Sequence, residues 1–298
     1  MVTREWALLI FTILGQMASG ALLTLMLIRA FAIRKTNVQQ ANRLTDGPLF
    51  IVVPIMALAL LASLFHLGNL INITKAVPNL DTSWLSREVI VAVVFVVLAA
   101  LYTFLQWRKL STELIRATIG WIAALVGQFQ TIAMIMVYMI RTQPAWNTFA
   151  TPITFLVTSF LLGVLVVAAA LVATRAIGDE TQTDLLHSTL RGIAITSIAL
   201  VGVEFVVLPI YVLYLSTQGA SALQTMSSMF GTYTAVLVLR LLLVFVGGGV
   251  LGVYLYENAA NGKERNLALL VYSAFILVLI AEAMGRFLFY ATHYSIGL

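Results

Sequence analysis

Long apolar stretches separated by short polar segments dominate the chain. Each stretch is about 20 residues long, enough for a helix to cross the ~30 Å hydrocarbon core of a bilayer. Because lipid offers the backbone no hydrogen-bond partners, such stretches form helices rather than open strands. The pattern predicts an all-α integral membrane protein, an eight-transmembrane-helix bundle that makes residues 1–298 a single transmembrane domain. The predicted spans are 6–28, 48–72, 89–107, 117–140, 152–174, 192–215, 233–256 and 267–290.

The composition agrees with a membrane protein and restricts its cofactors. Of the 298 residues, 61% are hydrophobic and 10% are charged, and the mean hydropathy is +1.01. A soluble domain carries about 25% charged residues. The sequence has no cysteine, which excludes thiolate-held iron–sulfur clusters, c-type haem attachment and disulfides within it. The net charge of +5 is not a nucleic-acid signal, because the basic residues lie in the loops.

The basic residues divide unequally between the two sets of loops. One set holds eleven: Arg29, Arg34, Lys35, Arg43, Arg108, Lys109, Arg116, Arg175, Arg191, Lys263 and Arg265. The other set, together with the N-terminus, holds four: Arg4, Lys75, Arg87 and Arg141. Cytoplasmic loops carry the excess of Lys and Arg, so the first set is predicted in the cytoplasm. Both termini are then predicted on the non-cytoplasmic side, as an even number of spans requires.

Polar side chains inside the spans are few and are biased toward the outer half. An ionisable residue in a span is costly, and by default it marks a functional site or a buried pair. The polar positions in spans are Gln16, His66, Gln128, Gln130, Glu204, Arg240, Glu282 and Arg286, while Glu88 and His293 lie at outer span ends. The cytoplasmic half is predicted to contribute almost nothing comparable. Several costly groups at similar depths suggest a shared cavity, with Glu204 and Arg240 as structural polar residues.

The last span and His66 carry the most chemistry. Glu282 and Arg286 are four residues apart and share one helix face, with His293 seven residues further on. The pair forms either an intrahelical salt bridge or part of a site. Imidazole titrates near neutrality, so His66 suits a group that accepts a proton from an apolar hydroxylic ligand. Axial haem ligation by His66 and His293 is a weaker alternative, because His293 lies past the end of its span.

Two other classes of function remain open on these residues. A secondary transporter or ion or proton channel would use Glu204, Arg240, Glu282 and Arg286 as its substrate and proton path. Transporters place such sites at the midplane on broken helices, so the outward bias argues against this class. A purely structural anchor is the third interpretation, and it leaves the buried polar groups unexplained.

Several motifs resemble the membrane anchor subunit of bacterial dimethyl sulfoxide reductase, the DmsC-like family. They are EWALLIFT at 5–12, GQ at 15–16, ASLFHLG at 62–68, LSRE at 85–88 and AEAMGRFLFY at 281–290, with His293 and Gly297 beyond. The likeness in span number and length extends over nearly the whole sequence, and the specific motifs cover about a sixth of it.

The resemblance implies a haem-free anchor in the bacterial inner membrane that oxidises menaquinol. Electrons would pass to an iron–sulfur subunit and then to a molybdenum subunit with a bis-pterin guanine dinucleotide cofactor, and both partners are expected on the outer side. His66 and Glu88 match family positions tied to quinol binding, and they are the predicted catalytic pair. Depth and chemistry add Gln16, Glu282, Arg286 and His293 to the predicted quinol site, and no metal site is predicted. The sequence does not show whether the terminal electron acceptor is dimethyl sulfoxide or instead polysulfide, tetrathionate, selenate or arsenate.

Overall fold

A computed structural model describes residues 6–66, 79–175, 180–262 and 264–296, without the side chains of residues 66, 264 and 265. Its helices are α1 Trp6–Lys35, α2 Val38–Leu49, α3 Val52–His66, α4 Trp84–Arg108, α5 Glu113–Tyr138, α6 Ala150–Ala173, α7 Glu180–Leu215, α8 Ala220–Phe230, α9 Thr234–Val244, α10 Leu251–Ala260 and α11 Glu264–Ala291. A π-helical segment, Phe245–Val250, joins α9 to α10.

Eight helical spans within the described residues are long and apolar enough to cross a membrane. Helices α2 and α3 together supply the second of them, and α9, the π-helical segment and α10 supply the seventh. The prediction of an all-α, eight-span membrane bundle is therefore confirmed. Consecutive spans alternate in direction, so α1 begins and α11 ends at the same end of the bundle. We call this end the terminal end and the other the opposite end.

Helices α1 and α6 form the centre of the bundle. In the most apolar 18-residue stretch of each span, 72% of the residues of α1 and 89% of those of α6 are buried. In the other spans at most 50% are buried. The two helices cross where Gly20 meets Gly163, and a β-carbon at Gly20 would lie 1.9 Å from the backbone oxygen of Ser159. Small residues let transmembrane backbones approach this closely. The Ser159 hydroxyl donates to the Gln16 backbone oxygen and shares a hydrogen bond with the Ser19 hydroxyl, and both bonds reinforce the crossing.

Several helices extend beyond the predicted apolar spans. Helix α1 continues to Lys35, α2 occupies residues 38–49 that were predicted mainly as a loop, and α7 begins at Glu180 within the predicted loop 175–191. A hydropathy window detects only the part of a helix that contacts hydrocarbon. Polar turns outside that part stay helical when their free backbone groups are capped. At the start of α2, for example, the side-chain oxygen of Asn37 accepts a hydrogen bond from the backbone amide of Gln40.

The opposite end contains a buried ionic network that the sequence interpretation missed. Arg29 pairs with Glu113, and Glu113 also pairs with Arg116 at 2.6 Å. Gln106 accepts a bond from Arg116 at 3.0 Å and donates to Asp46 at 2.8 Å. The prediction that this half contributes almost no buried polar groups was wrong. Arg29 and Arg116 were assigned to loops, whereas each lies on a helix and bonds to a residue of a neighbouring helix.

Candidate functional site

The polar residues singled out from the sequence gather toward the terminal end. At ~1.5 Å rise per residue, Glu88 lies about 6 Å from the start of α4, and Arg240 about 9 Å from the start of α9. Arg286 lies about 7 Å, and Glu282 about 13 Å, from the end of α11. The directions of these helices place all four residues in the half of the bundle nearer the terminal end. The side chains nevertheless face two different neighbourhoods.

The first neighbourhood is a charged cluster formed by α6, α7, α9 and α11. The guanidinium of Arg240 donates to Glu204 Oε1 at 2.9 Å, and its Nη2 lies 3.6 Å from Glu282 Oε1. Thr158 on α6 donates its hydroxyl to Glu282 Oε2. Arg240 fits beside α11 because position 285 is glycine, where a β-carbon would lie 2.4 Å from Arg240 Nε. Four helices are thus joined through side chains that would each be costly alone in lipid.

Arg286 extends this cluster toward α1. Its guanidinium lies over the ring of Phe155, with Cζ 3.6 Å from the ring centroid, and it donates to Gln16 Oε1 at 2.8 Å. Gln16 and Arg286 are both buried. Glu282 and Arg286 therefore turn to different helices, although their spacing on α11 also permitted a simple intrahelical pair. This arrangement brings together Gln16, Glu204, Arg240, Glu282 and Arg286, five of the eight residues predicted as binding or structural.

The second neighbourhood is an aromatic cluster at the end of α5 and α11. The hydroxyls of Tyr138 and Tyr290 share a hydrogen bond of 2.7 Å. Trp146 stacks on Phe289 and donates its indole N–H to the Phe289 backbone oxygen at 2.9 Å. His293 stacks on Trp146 with ring centroids 4.3 Å apart, so the cluster extends past the end of α11.

His293 belongs to this second neighbourhood, and Glu88 lies at the same end of the bundle. The Nδ1–H of His293 donates to the backbone oxygen of Tyr290 at 2.6 Å, which holds the ring against the helix end. Glu88 is 3% exposed, and its helix α4 packs against α5, which ends at Tyr138. The structure therefore places His293 in the aromatic cluster rather than in the Arg240 cluster, and it buries Glu88 at the same end of the bundle.

His66 is the last residue of α3, and its side chain lies outside the described residues. Helix α3 ends the second span at the terminal end, where α4 begins and carries Glu88. Among the described residues, no group of three or more His, Asp or Glu side chains is arranged to hold a metal ion.

Sequence reasoning missed several neutral partners in both clusters. Thr158, Tyr138 and Trp146 each contact a predicted site residue or its neighbour, yet none of them carries a charge that would mark it within an apolar span. A signal was present for Thr158, because it shares one face of α6 with Thr151 and Thr154 at helical spacing. Which helix that face meets was not readable from the sequence.

The fold defines a polytopic membrane protein, with eight membrane-spanning helical segments among the described residues. A model of the DMSO reductase anchor subunit (DmsC) family matches residues 1–292. The protein therefore belongs to the DMSO reductase anchor subunit family, as the motifs predicted.

Proteins of known description support the same assignment. The sequence is 26% identical to the C subunit of anaerobic dimethyl sulfoxide reductase of Haemophilus influenzae, over 99% of its own length and 96% of the relative. It is 29% identical to the YnfH subunit of an anaerobic dimethyl sulfoxide reductase of Escherichia coli, over 99% and 97%. The C subunit of the Escherichia coli enzyme is 26% identical over 99% and 97%. As an anchor subunit, the protein is part of an oxidoreductase complex with catalytic and electron-transfer partners.

Proposed function

We propose that this protein oxidises menaquinol near the non-cytoplasmic face of the bacterial inner membrane and passes the electrons to an iron–sulfur subunit. That subunit would feed a molybdenum subunit with a bis-pterin guanine dinucleotide cofactor, and dimethyl sulfoxide is the acceptor that the names of the relatives favour. The basic residues of the loops favour this sidedness, with both termini outside the cytoplasm.

One observation carries the proposal: a carboxylate and an amide are buried among apolar helices at the terminal end. Glu88 on α4 is 3% exposed, and Gln16 on α1 is 0% exposed with its Nε2 left without a hydrogen-bond partner among the described residues. Burying such groups in lipid is expensive unless something pairs with them. A quinol ring between α1, α3, α4 and α11 offers hydroxyls to the carboxylate and oxygens to the amide.

The chemistry needs a proton acceptor beside the quinol. Oxidation of one quinol to a quinone breaks two O–H bonds and releases two electrons and two protons. In the proposal, His66 accepts one proton, and Glu88 orients the hydroxyl or carries the proton outward. His293 stacks on Trp146 at the same end of the bundle, and Arg286 donates to the side-chain oxygen of Gln16.

Electron transfer places a requirement on the partner. The sequence has no cysteine to hold a cluster, so the first acceptor belongs to the iron–sulfur subunit. That subunit must dock where its nearest cluster approaches the terminal end, because the ends of α3 and α4 that carry His66 and Glu88 lie there. The partners would then lie on the outer side of the membrane.

The His66→Ala variant of the purified complex tests the proposal. We expect menaquinol-driven reduction of dimethyl sulfoxide to fall roughly 100-fold or more, because the ring nitrogen that takes the proton is gone. Reduction driven by an artificial dye that donates directly to the partner subunits reports whether the complex is assembled. His187→Ala on α7, near the opposite end, is the matched control.

Unchanged menaquinol oxidation in the His66→Ala complex would remove this residue from the mechanism. If the unmodified complex reduces dimethyl sulfoxide with the dye but never with a quinol, the protein is an anchor without quinol chemistry. Purification also tests the class: an anchor comes out with two larger subunits and iron–sulfur absorbance, and a transporter comes out alone and colourless.

A further inference from the structure

A cavity of about 110 Å³ lies between α6, α7, α9 and α11, beside the Arg240 cluster. Its inner wall carries Glu204, Arg240, Glu282 and Arg286, and its outer wall reaches Ala145 and Thr292 at the terminal end. Neither Glu88 nor Gln16 lines it, but Arg286 lines it and also donates to Gln16, so the cavity adjoins the proposed quinol position. Glu282, which was predicted from the sequence as part of the quinol site, faces this cavity.

The size of the cavity decides what it can hold. An apolar cavity that accommodates benzene in another protein measures about 150 Å³, whereas a water molecule takes about 30 Å³ in the liquid. The cavity volume of about 110 Å³ exceeds the ~10–15 Å³ that one water molecule needs in this measure, so several water molecules fit.

The polar atoms of the cavity wall require small hydrogen-bonding partners such as water. Glu204 Oε2, Glu282 Oε1, Arg240 Nε and Arg286 Nε are all buried without a hydrogen-bond partner among the described residues. Buried charged groups in this state are costly unless water or a ligand completes their hydrogen bonding. Two acceptors and two donors around one small cavity match water, which donates and accepts.

Hydroxyl groups continue the polar wall toward the terminal end. Thr151, Thr154 and Thr158 line the cavity from one face of α6, and Tyr211 and Thr292 line it near its outer part. Thr154, Tyr211 and Thr292 each donate to a backbone oxygen, so their own oxygens remain able to accept from water. Thr158 donates to Glu282, so these hydroxyl groups extend from Glu282 toward the terminal end.

We propose that this cavity is a hydrated proton site, in which Glu282 accepts the second proton of quinol oxidation and water carries it to the terminal end. The inference rests on the proposed function and adds a second acceptor to it. One quinol O–H proton goes to His66. The other crosses through water to a carboxylate oxygen of Glu282, which becomes a neutral acid, and both electrons leave to the partner's iron–sulfur cluster.

The charges around the cavity suit a proton that is held briefly. Glu204 and Tyr211 face it from α7, Arg240 from α9 and Arg286 from α11, while α6 contributes hydroxyls. Two carboxylates and two guanidiniums balance one another, and protonation of Glu282 leaves an excess positive charge that favours release. Arg286 also donates to Gln16, so a single residue links the cavity to the proposed quinol position.

Infrared difference spectroscopy of the whole complex, before and after menaquinol addition, tests the inference. We expect a carboxylic acid carbonyl band that shifts in D₂O and disappears in Glu282→Gln, with quinol-driven turnover roughly 100-fold slower. The matched control is Glu257→Gln, an exposed carboxylate on α10, which should keep the band. Thr158→Val should move the band while keeping it, because the carboxyl group loses its hydrogen bond.

A band that persists unchanged in Glu282→Gln would overturn the inference, and so would its absence from an unmodified complex that oxidises quinol. If Glu282→Gln fails to assemble, the Thr158→Val shift decides: no shift overturns the assignment of the band to Glu282. Failure of the proposed function looks different, because the unmodified complex would then show no quinol-driven turnover at all.

Discussion

The Gly20→Ala substitution tests the contact between the two central helices. A β-carbon at position 20 would lie 1.9 Å from the backbone oxygen of Ser159, and ordinary contact begins at 3.4 Å. The helices must therefore separate by about 1.5 Å at this point. The obstacle is backbone, so no side-chain rotation relieves it. Gly163 faces the same crossing, where its own β-carbon would lie 2.3 Å from the Gly20 carbonyl carbon.

The magnitude follows from what the separation removes. Overpacking a well-packed contact costs about 1–3 kcal/mol. The hydrogen bonds of Ser159 to Ser19 and to the Gln16 backbone oxygen lengthen as well, and such bonds are worth about 0.6 kcal/mol each between transmembrane helices. We expect Gly20→Ala to lower the free energy of unfolding by about 2–4 kcal/mol relative to a glycine-to-alanine change without a neighbour.

Reversible unfolding of the purified protein in mixed micelles with increasing dodecyl sulfate measures this free energy. Gly202→Ala on α7 is the matched control, because nothing lies within 4 Å of a β-carbon there. Alanine should leave that variant neutral or stabilise it by up to about 1 kcal/mol through helix propensity. Equal unfolding free energies for Gly20→Ala and Gly202→Ala would refute the reasoning that this crossing is tight.

Three further variants address the polar clusters. Gly285→Ala should cost about 1–3 kcal/mol in the same unfolding assay, because its β-carbon would lie 2.4 Å from Arg240 Nε and displace it; a variant as stable as the parent contradicts this. Arg240→Gln should cost about 3–5 kcal/mol by leaving buried carboxylates unpaired. Adding Glu204→Gln should then recover part of the loss, and a purely additive double variant would argue against the pair. Tyr290→Phe removes the 2.7 Å bond to Tyr138 and should cost about 0.6 kcal/mol, whereas no change would mean that water replaces the bond.

Hydropathy predicted the number of spans correctly and their bounds less well. Each span is a local property, since the apolar run and the helical backbone lie in the same segment. The end of α1 and the start of α7 extend past the predicted bounds, and their polar turns bond to neighbouring helices: Lys35 donates to Ser188, and Gln182 donates to the backbone oxygen of Gln40. The ionic network of Arg29, Glu113 and Arg116 was missed for the same reason, as its members looked like loop charges until the helices were assembled.

The sequence showed how far along its helix each polar side chain lies, but it did not show which neighbouring helix that side chain faces. Glu282 and Arg286 were expected to share a face, and their partners on α6, α9 and α1 were open. Assigning Arg240 and Glu204 to structure was an interpretation of charge alone. Both line a small cavity, a feature that no spacing within one helix could indicate.

The sequence by itself determined that this is an eight-span membrane protein with costly polar groups within its spans, because the bilayer imposes helix length and a penalty for charge on every span separately. Tertiary structure decided which of those groups meet. His293 stacks on Trp146 in the aromatic cluster, and Glu282 turns to Arg240 and the cavity. The reason is geometric: partners on α7, α9 and α11 are brought together by packing between helices, which depends on the shapes of all of them at once.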